Sequence, residues 1–316
     1  MKIAVVIPCY RVVDNIFSVL QDIPKEVTKI YLIDDLCPQN TGHIVKENFS
    51  DKRLKVLFNE ENTGVGGAVL KGYKESIRDE MDITVKIDGD GQMDPKLLHL
   101  FIKPIVDGKA DYTKGNRFFY PEHIKNMPLI RVIGNSILSF ITKISSGYWG
   151  IFDPTNGYTA ISSNALKKLQ FEKIDKRYFF ETDMLFRLNL IRAVVKDIPM
   201  EAVYGDENSS LNVLNSIPIF LYKNLLNSFK RIIYFYFLRE MSVASLEFLL
   251  GIILFFFGLI YGFYNWNISN ELGVQTSVGT VMLSFGSLMM GLQFLMSFLH
   301  YDYNIVPKDP ISKNIN

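Results

Sequence analysis

The first two hundred residues alternate short apolar runs with amphipathic stretches. Residues 2–7 (KIAVVI), 29–34 (KIYLID), 54–59 (LKVLFN) and 83–88 (ITVKID) have the composition of buried strands. Helix-like segments lie between them near 12–21, 39–49 and 65–80. This alternation predicts βαβ units, and so an α/β fold with a mostly parallel sheet. Ligands of such sheets sit beyond the carboxyl ends of the strands. Four polar clusters fall there: Pro8-Cys9-Tyr10-Arg11, Asp34-Asp35, Asn59 to Asn62, and Asp88-Gly89-Asp90.

The pattern changes after residue 210. Residues 213–240 interleave aromatic and aliphatic side chains with Lys223, Lys230, Arg231 and Arg239, as an amphipathic helix at a membrane surface does. Residues 248–264 and 272–299 contain no charge at all. Each can supply the roughly 20 helical residues that cross a bilayer core. Two membrane helices are expected, at about 243–264 and 274–299, with Tyr261, Tyr264 and Trp266 marking one interface. Basic residues precede the first span and follow the second, so both termini are expected in the cytoplasm. Gly279, Gly286 and Gly291 supply small residues for close helix packing, within one chain or in a homo-oligomer.

Composition sharpens that division. Of the 67 charged residues, 61 lie in the first 240, and the net charge is +1. The balance speaks against nucleic-acid binding. Two cysteines, Cys9 and Cys37, cannot form a disulfide framework and read as buried reduced thiols. The four histidines show no metal-ligand spacing. The first residues read as a strand and lack the features of a signal peptide.

The densest chemistry is Asp88-Gly89-Asp90-Gly91-Gln92. Two carboxylates and a carboxamide at alternate positions can converge on a hard cation such as Mg²⁺ or Mn²⁺. Taken alone, the run is equally a polar turn. Leu100 at the twelfth position argues against an EF-hand loop. Asp34-Asp35 could accept hydrogen bonds from a base or ribose. Asn62-Thr63-Gly64-Val65-Gly66-Gly67-Ala68 opens a helix, where backbone N–H groups can hold a phosphate.

Together these segments resemble inverting GT-A glycosyltransferases of family 2. Gly115-Asn116-Arg117, Asp153-Pro154-Thr155-Asn156-Gly157-Tyr158, Phe180-Glu181-Thr182-Asp183 and Val203-Tyr204-Gly205-Asp206 narrow the resemblance to the polyprenyl-phosphate branch. That branch includes dolichyl-phosphate mannose synthases and bacterial undecaprenyl-phosphate glucosyltransferases. Arg11, where many members have Asn, and Leu36-Cys37, where a Gly-Ser pair is common, depart from the pattern.

The resemblance implies a GT-A domain over 1–210, amphipathic juxtamembrane helices over 211–240, and two membrane helices with a short tail over 241–316. It implies that Pro8, Tyr10, Asp34, Asp35, Asn62, Gly66 and Asp88 bind a UDP- or GDP-hexose. Asp90 and Gln92, with Asp88 nearby, would hold Mg²⁺ or Mn²⁺ on the diphosphate. Arg117, Arg131 and Asn135 would grip the phosphate of a polyprenyl lipid. Asp153 would orient the reactants or act as base, and Glu181, Asp183 and Tyr204 are further active-site candidates. The implied activity is transfer of one hexose, glucose from UDP-glucose first, to undecaprenyl phosphate at the inner membrane. Two alternatives remain open: transfer to a hydroxyl of a lipid-linked saccharide or head group, and a non-catalytic membrane scaffold that binds nucleotide-sugar. The polar segment 204–211 is expected to gate the acceptor.

Overall fold

The computed structural model describes residues 1–121, 129–201 and 213–311, the side chains of 130, 131 and 213–216 excepted. Two compact units divide the chain: Met1–Ser228 with Pro307–Asn316, and Phe229–Val306. The boundary falls inside a helix, between Ser228 and Phe229.

The first unit is built on seven strands: β1 (Ile3–Cys9), β2 (Lys29–Asp34), β3 (Leu54–Phe58), β4 (Ile83–Lys86), β5 (Tyr112–Asn116), β6 (Thr159–Ser162) and β7 (Val195–Pro199). Their order is β3-β2-β1-β4-β6-β5-β7. Among the described residues, eight α-helices accompany them: α1 (Ile16–Asp22), α2 (Thr41–Asn48), α3 (Gly64–Arg78), α4 (Leu98–Val106), α5 (Leu129–Ser146), α6 (Ser163–Lys168), α7 (Phe180–Leu190) and α8 (Val213–Ile232). Every residue of β1 and β4 is buried, as strands covered on both faces are. One core packs Val5, Ile7, Ile30, Leu32, Val85 and Ile87 against Leu20, Val45 and Phe101.

Four strands, β3 to β4, run parallel, whereas β6 runs against both β4 and β5. This reversal positions the site. In register, Lys86 pairs with Thr159, and Thr159 also pairs with Lys114. Residues 153–158, just ahead of β6, therefore arrive at the carboxyl end of β4. After residue 306 the chain re-enters this unit, and Ile311 N donates to both carboxylate oxygens of the buried Asp111 at 3.0 Å.

The second unit contains a π-helical turn (Ile233–Arg239) and two long helices, α9 (Val243–Glu271) and α10 (Val278–Asn304). Both helices are long and apolar enough to cross a membrane. They run several residues past the expected ends. Asn265 and its neighbours continue α9, and the Asn265 side chain donates to Tyr261 O at 2.9 Å. Arg231 forks onto Asp302, at 2.6 and 3.0 Å, and Tyr236 donates to the same carboxylate. This buried cluster ties the π-helical turn to the end of α10.

Some of the small residues are used within the chain. A Cβ at Gly258 would lie 2.7 Å from Leu288 N and Ser284 O, and one at Gly291 would overlap the backbone of Phe255. Gly279 and Gly286 face open space. Gly258→Val is therefore expected to overpack the helix pair and cost about 1–3 kcal/mol, while Gly286→Ala leaves stability unchanged or raises it. Thermal unfolding in detergent, followed by circular dichroism, separates the two outcomes.

Candidate active site

A cleft of ≈ 410 Å³ opens at the carboxyl ends of β1, β2 and β4. Pro8 to Tyr10 line it from β1, Asp35 from β2, Asn62 and Gly64 from the approach to α3, and Asp88 to Asp90 from β4. The polar clusters expected at strand ends thus share one cleft. Arg177 and Tyr178, ahead of α7, complete the lining. Sequence reading missed these two, because a lone Arg-Tyr pair carries no motif. Cys9 and Cys37 are both free and buried.

Asp34 and Asp35 part company, since successive side chains of a strand point to opposite sides. Asp34 does not line the cleft. It is buried, and its oxygens accept from Cys37 N and Gly42 N at 2.7 Å each, tying down the start of α2. Asp35 does line the cleft, and its carboxylate is already well used from within. Oδ1 accepts from Asn59 Nδ2, Thr63 N and Thr63 Oγ1 at 2.7–2.9 Å, and Oδ2 accepts from Gly64 N at 2.7 Å. Asn62 Nδ2 donates to Asp35 O at 3.2 Å. Asp35 therefore shapes the wall that Asn62 belongs to.

The glycine run has a different use from the expected phosphate cradle. Of its backbone N–H groups, Gly64 N is bound to Asp35, and Gly67 N donates to Lys176 O at 3.0 Å. A Cβ at Gly66 would lie 2.7 Å from Asp175 O and the Phe180 ring, so Gly66 sits outside the cleft. The glycines instead let the 175–177 backbone pack on the start of α3, which brings Arg177 to the cleft. Asp183 holds the same segment: it accepts from Asp175 N at 3.0 Å and from Asn227 Nδ2 at 2.9 Å. Asp183 is thus a buried anchor outside the lining.

At the end of β4, Lys86 is fully buried. Its ammonium lies 2.9 Å from Asp88 Oδ1 and 2.9 Å from Glu181 Oε1. Burial works against the charge, but the two carboxylates outweigh it and hold Lys86 above its ordinary pKa. Asp90 Oδ1 accepts from Gln92 N at 3.0 Å, and the Gln92 side chain is not part of the cleft lining. Among the described residues no three His, Cys, Asp or Glu side chains converge as metal ligands. Two aspartates on a cleft wall nonetheless suit Mg²⁺ or Mn²⁺, whose remaining ligands are phosphate oxygens and water.

A second cluster of expected site residues lies ahead of β6. Arg117 Nε and Nη2 fork onto Asp153 Oδ2 and Oδ1 at 2.7 and 2.9 Å, and Asp153 is buried. Both oxygens of Asp153 are thereby engaged by one guanidinium. Buried Lys114 donates to Asn156 O, and burial lowers its pKa to about 8 despite nearby Glu181 and Asp153. Neither buried lysine was among the expected site residues. Asn135 is half-buried on α5, and neither it, Arg117, nor Asp153 lines the cleft. The Arg131 side chain, Tyr204 and the expected gate at 204–211 lie outside the described residues.

A strand-end cleft bearing an Asp-x-Asp pair, on a sheet with one reversed strand, defines a nucleotide-sugar transferase fold of the GT-A type. The chain belongs to glycosyl transferase family 2, whose model matches residues 4–170. It is 30% identical to the UDP-N-acetylglucosamine–dolichyl-phosphate N-acetylglucosaminyltransferase of Methanococcus voltae, over 69% of this chain and 93% of that protein. It is 27% identical to the polyprenol monophosphomannose synthase of Mycolicibacterium smegmatis, over 58% and 70% of the two chains. The undecaprenyl-phosphate mannosyltransferase of Micrococcus luteus is 25% identical, over 64% and 84%. Among solved structures, glucosyl-3-phosphoglycerate synthase from Mycobacterium tuberculosis, crystallised with Mn²⁺ and UDP, shares the fold. Its TM-score is 0.54 at 19% identity, over 72% of this chain and 79% of that one.

Asp197 offers a test of the buried charge near Asp153. Burial raises its pKa to about 6, against hydrogen bonds from Phe152 N and Asn116 Nδ2. The folded chain keeps this proton where the unfolded chain, with a pKa of about 4, has lost it. Its ionisation therefore erodes stability as pH rises from about 4 to 6. Asp197→Asn is expected to flatten that fall, as measured by denaturant unfolding across the same pH range.

Proposed function

We propose that this chain is a membrane-bound inverting glycosyltransferase that moves one sugar from a nucleotide-sugar to a polyprenyl phosphate. The observation that carries the reading is the placement of Asp88 and Asp90 on one cleft with Asp35 and Asn62, in a family 2 chain. Relatives that act on dolichyl, polyprenol and undecaprenyl phosphates support the acceptor. The two apolar helices support a lipid substrate, whose phosphate must meet a charged site at the membrane surface. Basic residues before α9 and after α10 favour a cytoplasmic placement of both termini, in the inner membrane of a bacterial-type cell.

In the reaction, an acceptor phosphate oxygen attacks the anomeric carbon. The bond from that carbon to the nucleoside diphosphate breaks, and its electron pair leaves with the diphosphate. A divalent ion held by Asp90, with Asp88 beside it, would neutralise the charge growing on the leaving group. Asp35 and Asn62 shape the nucleotide side of the cleft. A phosphate monoester has a second pKa of about 6 and is largely dianionic at neutral pH. It needs no strong base, which agrees with an Asp153 whose two oxygens are held by Arg117. Asp153 then orients Arg117, and Arg117 faces the acceptor phosphate.

For the donor, resemblance to the two-span family members favours UDP-glucose, while the relatives named above are named for N-acetylglucosamine or mannose transfer. The deciding experiment incubates purified protein with Mg²⁺ or Mn²⁺, undecaprenyl phosphate and a panel of UDP- and GDP-sugars, with products read by mass spectrometry. One polyprenyl-phosphate-sugar is expected, cleaved by mild acid. A product that resists mild acid would point to a hydroxyl acceptor, and no product from any donor would overturn the reading. Asp90→Ala is expected to reduce turnover at least about 100-fold, on the scale of a lost charge-stabilising group. Retained activity in membranes would remove Asp90 from the metal site.

A further inference from the structure

The buried lysine behind the Asp-x-Asp pair is unaccounted for by the reaction just described. Lys86 and Asp88 are two residues apart, on the same side of β4 and its extension. Asp88 Oδ1 is buried, 2.9 Å from the Lys86 ammonium. Glu181 Oε1 approaches that ammonium at 2.9 Å from α7. Gly157 closes the remaining side, for a Cβ there would overlap both Asp88 Oδ2 and Lys86 Nζ. Three segments of the chain thus build a cage around one ammonium, and one wall of the cage is a carboxylate of the cleft.

Building on the proposed function, we infer that Lys86 is a positioning residue: it acts as a resident counter-cation of the Asp88–Asp90 site, holds Asp88 by Oδ1 and weakens the binding of a divalent ion there. The Asp88 oxygen that faces Lys86 is unavailable to a metal, so Asp90 is the principal protein ligand. Glu181 opposes this effect, because it takes a share of the ammonium's charge. Two consequences of opposite sign follow. Removing the cation makes the cleft more negative and frees Asp88 Oδ1, so divalent ions bind more tightly and are released less readily. Neutralising Glu181 leaves the whole ammonium charge facing Asp88, so divalent ions bind more weakly. A lysine that served only to fill the core would give neither pattern.

The test titrates Mn²⁺ into the full-length protein in detergent with saturating UDP, and in parallel GDP, reading free Mn²⁺ by electron paramagnetic resonance. Lys86→Met is expected to bind Mn²⁺ about tenfold more tightly than wild type, and Glu181→Gln at least about threefold more weakly. In turnover assays Lys86→Met is expected to lose kcat with a smaller change in nucleotide-sugar KM. Equal affinities in all three proteins, or shifts of the same sign in both variants, would overturn the role of Lys86. Wild-type protein that binds no Mn²⁺ with either nucleotide would overturn the metal reading and this inference with it. Should Lys86→Met fail to fold, the near-isosteric Glu181→Gln decides: weaker binding supports the inference, and unchanged binding overturns it.

Discussion

A charge can be kept in a protein interior only if an opposite charge is built in beside it. That constraint organises this active site. Lys86 and Lys114 are fully buried: Lys86 pairs with Asp88 and Glu181, Lys114 lies in the field of Glu181, Asp153 and Asp197, and Arg117 pairs with Asp153 in turn. The partners come from β4, β5, the approach to β6, α7 and β7. The reversed strand makes the meeting possible: Thr159 on β6 has Lys86 on one side and Lys114 on the other. The Lys86–Asp88–Glu181 cluster and the Lys114–Asp153 neighbourhood are therefore linked through one reversed strand. Their spacing is set by strand register and not by flexible loops.

Much of the fold was legible because β1 to β4 carry unbroken apolar runs that end in polar residues. The later strands were not. β5 reads YTKGN and β7 reads VKDIP, and neither has a period that distinguishes it from loop. Their identity comes from pairing with β6, a non-local fact. The site shows the same split. The cleft positions of Pro8, Tyr10, Asn62, Asp88 and Asp90 follow from strand ends. The separation of Asp34 from Asp35 depends on which way a strand twists out of the sheet. The glycine run suggested a phosphate cradle, and nothing in the sequence points to another segment packing there. It is the 175–177 segment, more than a hundred residues away, that fills the space.

The second unit shows a comparable economy of small residues. Gly258 and Gly291 are occupied by the partner helix of the same chain, whereas Gly279 and Gly286 are open. Helix pairing in a membrane gains little from the hydrophobic effect, so close backbone approach has to supply the attraction. The fork of Arg231 on Asp302, shared with Tyr236, fixes one end of the pair by charge. Packing along the helices and ion pairing at their end are thus separate devices.

Gly157 packs directly on Asp88 and Lys86, and it belongs to the same segment as Asp153. Its missing side chain makes the two positions conditional on each other. A larger residue at 157 would meet Asp88 Oδ2 first and Lys86 Nζ next, so it requires both side chains to move. Losing the lysine, in turn, leaves the buried Glu181 and the cleft carboxylate Asp88 without their cation unless Glu181 changes as well. The order in which substitutions could accumulate here is therefore restricted. Any lineage that abandons this ammonium must pass through a form with unbalanced charge or an overfilled core, so the arrangement is easier to retain than to leave.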